Sequence, residues 1–84
     1  MAQEMATHAT NHLSKVVGAN IATARERKGI TQLQLAAELS TSTSRVSGWE
    51  RGLHMPSRRQ QPALAEVLFD GDIGALYRET EKAA

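Results

Sequence analysis

Apolar residues recur at Leu13, Val16, Val17, Ile21 and Ala24. Steps of three and four place them on one side of a helix, so the pattern predicts a first helix over 13–28. That helix ends in a charged run, Arg25-Glu26-Arg27-Lys28, followed by Gly29. Cations suit the carboxyl end of a helix dipole, and glycine takes the left-handed stop conformation at little cost. Ahead of Leu13, the stretch MAQEMATHATNH has no period. Residues 1–12 are therefore expected to be a flexible tail.

The pattern resumes at once. Thr31 can cap a second helix, and Gln34, three residues on, can complete a capping box. Leu35, Ala36 and Leu39 supply an inner face, which predicts a helix over 32–39. Five small hydroxyl residues follow, Ser40-Thr41-Ser42-Thr43-Ser44, and then apolar spacing returns with Val46 and Trp49. Ser42 is a good amino-terminal cap, because its oxygen can accept an otherwise unpaired amide hydrogen. Residues 40 and 41 then form the turn. Thr43 and Ser44 open a third helix, which Gly52 ends.

Pro56 and Ser57 mark the next boundary. Leu64, Val67 and Leu68 predict a fourth helix over 60–69, with Pro62 tolerated in its first turn. Asp70-Gly71-Asp72 is turn chemistry. Asp72 is expected to cap a last helix carrying Ile73, Leu76 and Tyr77, which frays toward Ala84. No strand-like alternation interrupts the series. The expected fold is all-α: a compact five-helix domain over 13–84 with Leu35, Ala36, Leu39, Val46, Leu64 and Leu68 in one core.

Composition narrows the chemistry. Only Trp49, Phe69 and Tyr77 are aromatic, so the core must be mainly aliphatic. The absence of cysteine excludes disulfides and thiolate metal sites. His8 and His12 are four apart, but no third ligand of fixed position accompanies them, and no metal or other cofactor is expected. No stretch approaches membrane-spanning length and no signal peptide is visible, so the expected setting is cytoplasmic. His54 lies near Glu50 and Arg51 without a nucleophile, base and orienting group, so no enzyme is expected. It reads instead as a solvent-side or phosphate-side residue.

The net charge of +1 hides an asymmetry. Residues 13–65 carry eight cations against three carboxylates, a net of +5, whereas residues 66–84 carry a net of −3. A basic body with an acidic end suits a polyanion on one face only.

Two short helices joined by a three-to-four-residue turn form a helix-turn-helix, here helices 2 and 3. The first turn of the second helix is the part that enters the DNA major groove. Bulky side chains there would hold the backbone away from the base edges. Serine and threonine hydroxyls both donate and accept, and the threonine methyl can pack on a thymine methyl.

The stretch TQLQLAAELSTSTSRVSGWERGLHMPS resembles the Cro/repressor-type (lambda-repressor-like) helix-turn-helix family. The resemblance rests on Thr31-Gln32, Leu35-Ala36, Leu39, Ser42, Val46-Ser47, Trp49-Glu50, Gly52 and Pro56, and extends over about 15–77. It implies that Thr43 and Ser44 face base edges, with Arg45 and Ser47 as further reading residues. It implies that Gln32, Ser42, Arg51 and Arg58 meet phosphates, together with the backbone at 53–58. Arg25 and Glu50 match a structural ion pair of the family. Gly48 falls where the family often has a longer base-reading side chain, and Ser40 stands where it usually has glycine. The implied partner is double-stranded DNA bound by a homodimer. A transcriptional regulator, most simply a repressor on a two-fold operator, is the leading expectation. The alternative is an antitoxin that binds a toxin through the acidic end and autoregulates its promoter.

Overall fold

The structure is a computed structural model that describes the backbone of residues 2–79 and the side chains of residues 12–79. Among the described residues there are five helices and no strand: α1 (Ala2–Lys28), α2 (Gln32–Glu38), α3 (Thr43–Glu50), α4 (Gln60–Leu68) and α5 (Gly74–Tyr77). The fraying expected toward Ala84 lies outside the described residues.

Helix α1 begins at Ala2, well before the expected start at Leu13. The segment ahead of Leu13 has no glycine or proline and holds Ala2, Gln3, Glu4, Met5, Ala6 and Ala9. Helix propensity extends the rod where periodicity gave no sign of one. The amphipathic part of α1 lies over the other helices. It packs against α3, α4 and α5, while α2 packs on α3.

Val17, Ile21, Leu35, Ala36, Val46, Trp49, Leu64, Leu68 and Leu76 form one buried cluster. Leu39 belongs only to its margin, since it is the C-cap of α2 and half-buried. Trp49 is 1% exposed and is the largest side chain in the core. Of the apolar residues expected to be carried by the last helix, Ile73 and Tyr77 are 41% and 37% exposed, and Leu76 is buried. A helix of one turn turns only one side inward, and Leu76 takes it.

Two contacts invisible to periodicity hold this arrangement. Gly18 faces the carboxyl end of α3. A Cβ there would collide with the Trp49 carbonyl oxygen and lie 3.1 Å from that of Glu50. Asn20, 9% exposed, is a buried polar residue on α1. Its Nδ2 donates to the carbonyls of Leu76 at 2.8 Å, Arg78 at 2.9 Å and Ala75 at 3.3 Å. One amide thus satisfies the carboxyl end of α5 and ties it to α1. Asp72 does not cap α5 through its side chain, and its carboxylate accepts from Arg78 at 3.3 Å instead. Its backbone carbonyl accepts from the Ala75 amide at 3.1 Å, because the chain is already helical at Ile73.

Candidate nucleic-acid interface

The capping chemistry sets the geometry of α2 and α3. The Thr31 hydroxyl accepts from the Gln34 amide at 3.0 Å, and the Gln34 side chain accepts from the Thr31 amide at 2.8 Å. Helix α2 then closes in a Schellman motif. The Ser40 amide donates to Ala37 at 3.2 Å and the Thr41 amide to Ala36 at 2.9 Å. Ser40 takes the left-handed position with φ +54°, where a Cβ is strained. Helix α3 closes in the same way at Gly52, φ +74°, with the Gly52 amide on Trp49 and the Leu53 amide on Gly48. The two turns therefore share one hydrogen-bond pattern, but only the second has the residue that adopts it freely.

Ser42 is the N-cap of α3. Its Oγ accepts from the Arg45 amide at 3.0 Å. The hydroxyl hydrogen remains free to donate, so capping leaves Ser42 able to meet an anion. From this start, Val46 and Trp49 turn into the core. The other side of α3 carries Ser44, Ser47, Gly48 and Arg51, spaced three and four residues apart as one stripe. Thr43 and Ser47 are half-buried and Gly48 is buried, while Ser44, Arg45 and Arg51 are exposed. The helix thus presents a low-relief surface of hydroxyls flanked by cations.

A polar clamp stands behind it. The Arg25 Nε donates to Glu50 Oε2 at 2.6 Å, and a second guanidinium nitrogen donates to Glu50 Oε1 at 3.1 Å. A third donates to the Ile30 carbonyl at 2.8 Å. The side chains are 13% and 7% exposed. Hydrogen bonding to Glu50 raises the pKa of Arg25 further, against the opposing effect of burial. Gln32 joins the clamp, with its Nε2 donating to Glu50 Oε1 at 2.9 Å. Gln32 was expected to meet phosphate. One amide hydrogen is instead committed to Glu50, which leaves the other. The clamp therefore links α1, the first turn of α2 and the last turn of α3.

Arg58 is exposed in the segment between α3 and α4. Just ahead of α4, the Ser57 hydroxyl accepts from the Gln60 amide, and the Gln60 side chain accepts from the Ser57 amide. This second reciprocal cap holds the turn that carries Arg58.

Sequence reasoning places His54 on the solvent or phosphate side and misses the contact its ring makes with Gly48. It is exposed, yet its imidazole lies against Gly48 on the outward stripe of α3. A Cβ at Gly48 would collide with Nε2 and come within 2.7 Å of Cε1. Ser42, Ser44, Arg45 and His54 line one open concavity. The signal was present in outline: a glycine on the outward side of α3 leaves a gap, and a ring lies just beyond the Gly52 turn.

Two short helices, each capped at its start by a hydroxyl side chain, joined by a tight turn and clamped at the back, define a helix-turn-helix domain. The helix-turn-helix family model matches residues 21–69, more than half of the chain, and the protein belongs to the Cro/C1-type, lambda-repressor-like helix-turn-helix family. That family is a DNA-binding domain type. Among curated proteins and among solved structures, none matches the chain significantly. Among the described residues, no helix is long and apolar enough to cross a membrane, and no group of three or more candidate ligands could hold a metal ion.

Proposed function

We propose that the protein is a sequence-specific transcriptional regulator, a repressor that occupies a two-fold operator as a homodimer in the cytoplasm. The observation that carries this reading is the outward stripe of α3. It combines short hydroxyl side chains with Arg45 and Arg51 on a helix whose opposite side is buried. Thr43 and Ser44 approach the base edges closely, with Arg45 and Ser47 beside them. Gln32, Ser42, Arg51 and Arg58 meet the phosphates. Ser42 and Gln32 each keep one donor after their internal hydrogen bonds, which suits phosphate oxygens. One module of this size covers limited DNA surface, and a second copy restores affinity through a second half-site.

Footprinting on DNA flanking the gene tests the reading. A repressor of this kind protects two half-sites with centres about 34–36 Å apart or a multiple of that. Protection without preference over random duplex rejects sequence-specific regulation. A single protected half-site rejects the dimer. A stable co-purifying partner, encoded next door and bound through the acidic end, favours the antitoxin reading over a free repressor.

A further inference from the structure

We infer that His54 is a specificity-determining residue that reads DNA from the position Gly48 leaves vacant. The inference rests on the DNA-reading role of α3 proposed above. Residues 44 and 48 are one turn apart on the same side of α3, and Arg45 precedes 48 by three. A side chain at 48 would therefore stand in line with Ser44. Glycine supplies none, and the imidazole of His54 fills that space so closely that even a methyl group there would displace it. The ring also borders the concavity lined by Ser42, Ser44 and Arg45. The chain thus carries a ring on the outward side of α3 that α3 does not itself encode.

Imidazole offers what the hydroxyl stripe lacks. It reaches further than serine, and a neutral ring carries one N–H donor and one acceptor nitrogen. In the major groove, the N7 acceptor is presented by both purines and by neither pyrimidine. With Nε2 turned against Gly48, Nδ1 is the ring nitrogen left to donate, and an Nδ1–H donated by His54 to N7 selects a purine at one base-pair position. The Schellman turn at Gly52 brings the ring back over α3, since the Leu53 amide is fixed to the Gly48 carbonyl at 3.0 Å. His54 is thereby placed by the residue it covers.

The test is selection of duplexes from a randomised pool by the wild-type protein, His54→Ala and Gly48→Ala, followed by binding titrations on the wild-type-selected duplex and on random duplex. His54→Ala removes the ring, and Gly48→Ala drives it away without itself reaching the bases. Both variants are expected to lose the purine preference at the same single position. Both should lower the ratio of selected to random binding about tenfold, the size of one good base contact. The double variant should lose no more than either alone, and the thermal midpoint of His54→Ala should stay at the wild-type value because the ring is exposed. Unchanged selection profiles in both variants overturn the inference while leaving the DNA-reading role of α3 intact. Equal losses on selected and random duplex also overturn it, because they make His54 a backbone contact. A wild-type protein that selects no sequence overturns the proposed function, and this inference with it.

Discussion

Ser40 is held at φ +54° by two backbone hydrogen bonds that the turn cannot give up. A Cβ in the left-handed region costs roughly 1–2 kcal/mol, whereas glycine returns some of that through its freer unfolded chain. Ser40→Gly is therefore expected to stabilise the protein by roughly 0.5–1 kcal/mol in denaturant titration. Ser40→Ala, which keeps the Cβ, should give no such gain. Gly18 makes the opposite case. Its φ is ordinary, and its value lies in the missing side chain, because the carbonyls of Trp49 and Glu50 occupy the space. Those atoms are backbone and cannot rotate aside, so Gly18→Ala should destabilise by about 1–3 kcal/mol, despite alanine's better helix propensity. A variant as stable as the wild type would mean that α1 and α3 can separate without loss.

On the proposed reading, the first turn of α3 reads bases, while the cations at its end and in the segment beyond it hold the DNA backbone. Arg51 and Arg58 are exposed cations whose proposed partners are phosphates, which carry no sequence information directly. Replacing either with alanine should weaken binding to operator and random DNA by similar factors. Each should also reduce the slope of log affinity against log salt by about one unit, one released counterion per phosphate. Thr43 and Ser44 lie in the first turn of α3, the turn proposed to enter the groove. Thr43→Ala and Ser44→Ala should narrow the gap between operator and random DNA by ~1–3 kcal/mol, with the salt slope nearly unchanged. A salt titration of the four variants on the two DNAs separates the classes. An intact operator preference in Thr43→Ala and Ser44→Ala would reduce this turn to a cap and a spacer.

At the scale of the whole molecule, the clamp of Arg25, Glu50 and Gln32 fixes α1, α2 and α3 to one another. It joins the end of α1 to the end of α3, and Gln32 adds the start of α2. Both charged side chains are largely buried, so an orphaned partner is costly. Arg25→Met or Glu50→Leu alone should cost about 3–5 kcal/mol, and the double variant should cost less than either. A double-mutant cycle without coupling would show that the helices hold their angle without the clamp. The arginine side is also insensitive to pH in the working range. Its folded pKa is raised, so its contribution is fully present below the ordinary arginine value. That contribution is lost only as the pH rises through the raised value, in strongly alkaline solution.

Much of this organisation is local and was therefore legible along the chain. Capping at Thr31 and Ser42 needs residues only three apart, and Gly29 and Gly52 act within one turn. The order of elements, the all-α class and the helix-turn-helix followed from these signals with the apolar spacing. The family pattern drew attention to Arg25 and Glu50, whose pairing across 25 positions has no local cause. Other features escaped a local reading of the pattern. The early start of α1 reflects propensity without an apolar stripe to reveal it. The depth of Leu39, the outward turn of Ile73 and the diversion of Asp72 to Arg78 depend on which side of a short helix meets its neighbours. Gly18, Asn20 and His54 are defined by atoms far away in sequence or across a turn: a carbonyl pair on α3, three carbonyls at the end of α5, and a vacant Cβ position on α3. The sequence by itself determined the stops at Gly29 and Gly52 and the starts at Thr31 and Ser42, because caps and periodicity act over a few residues. Only the tertiary structure decided which surfaces close on one another, because close approach depends on the shapes of both partners at once.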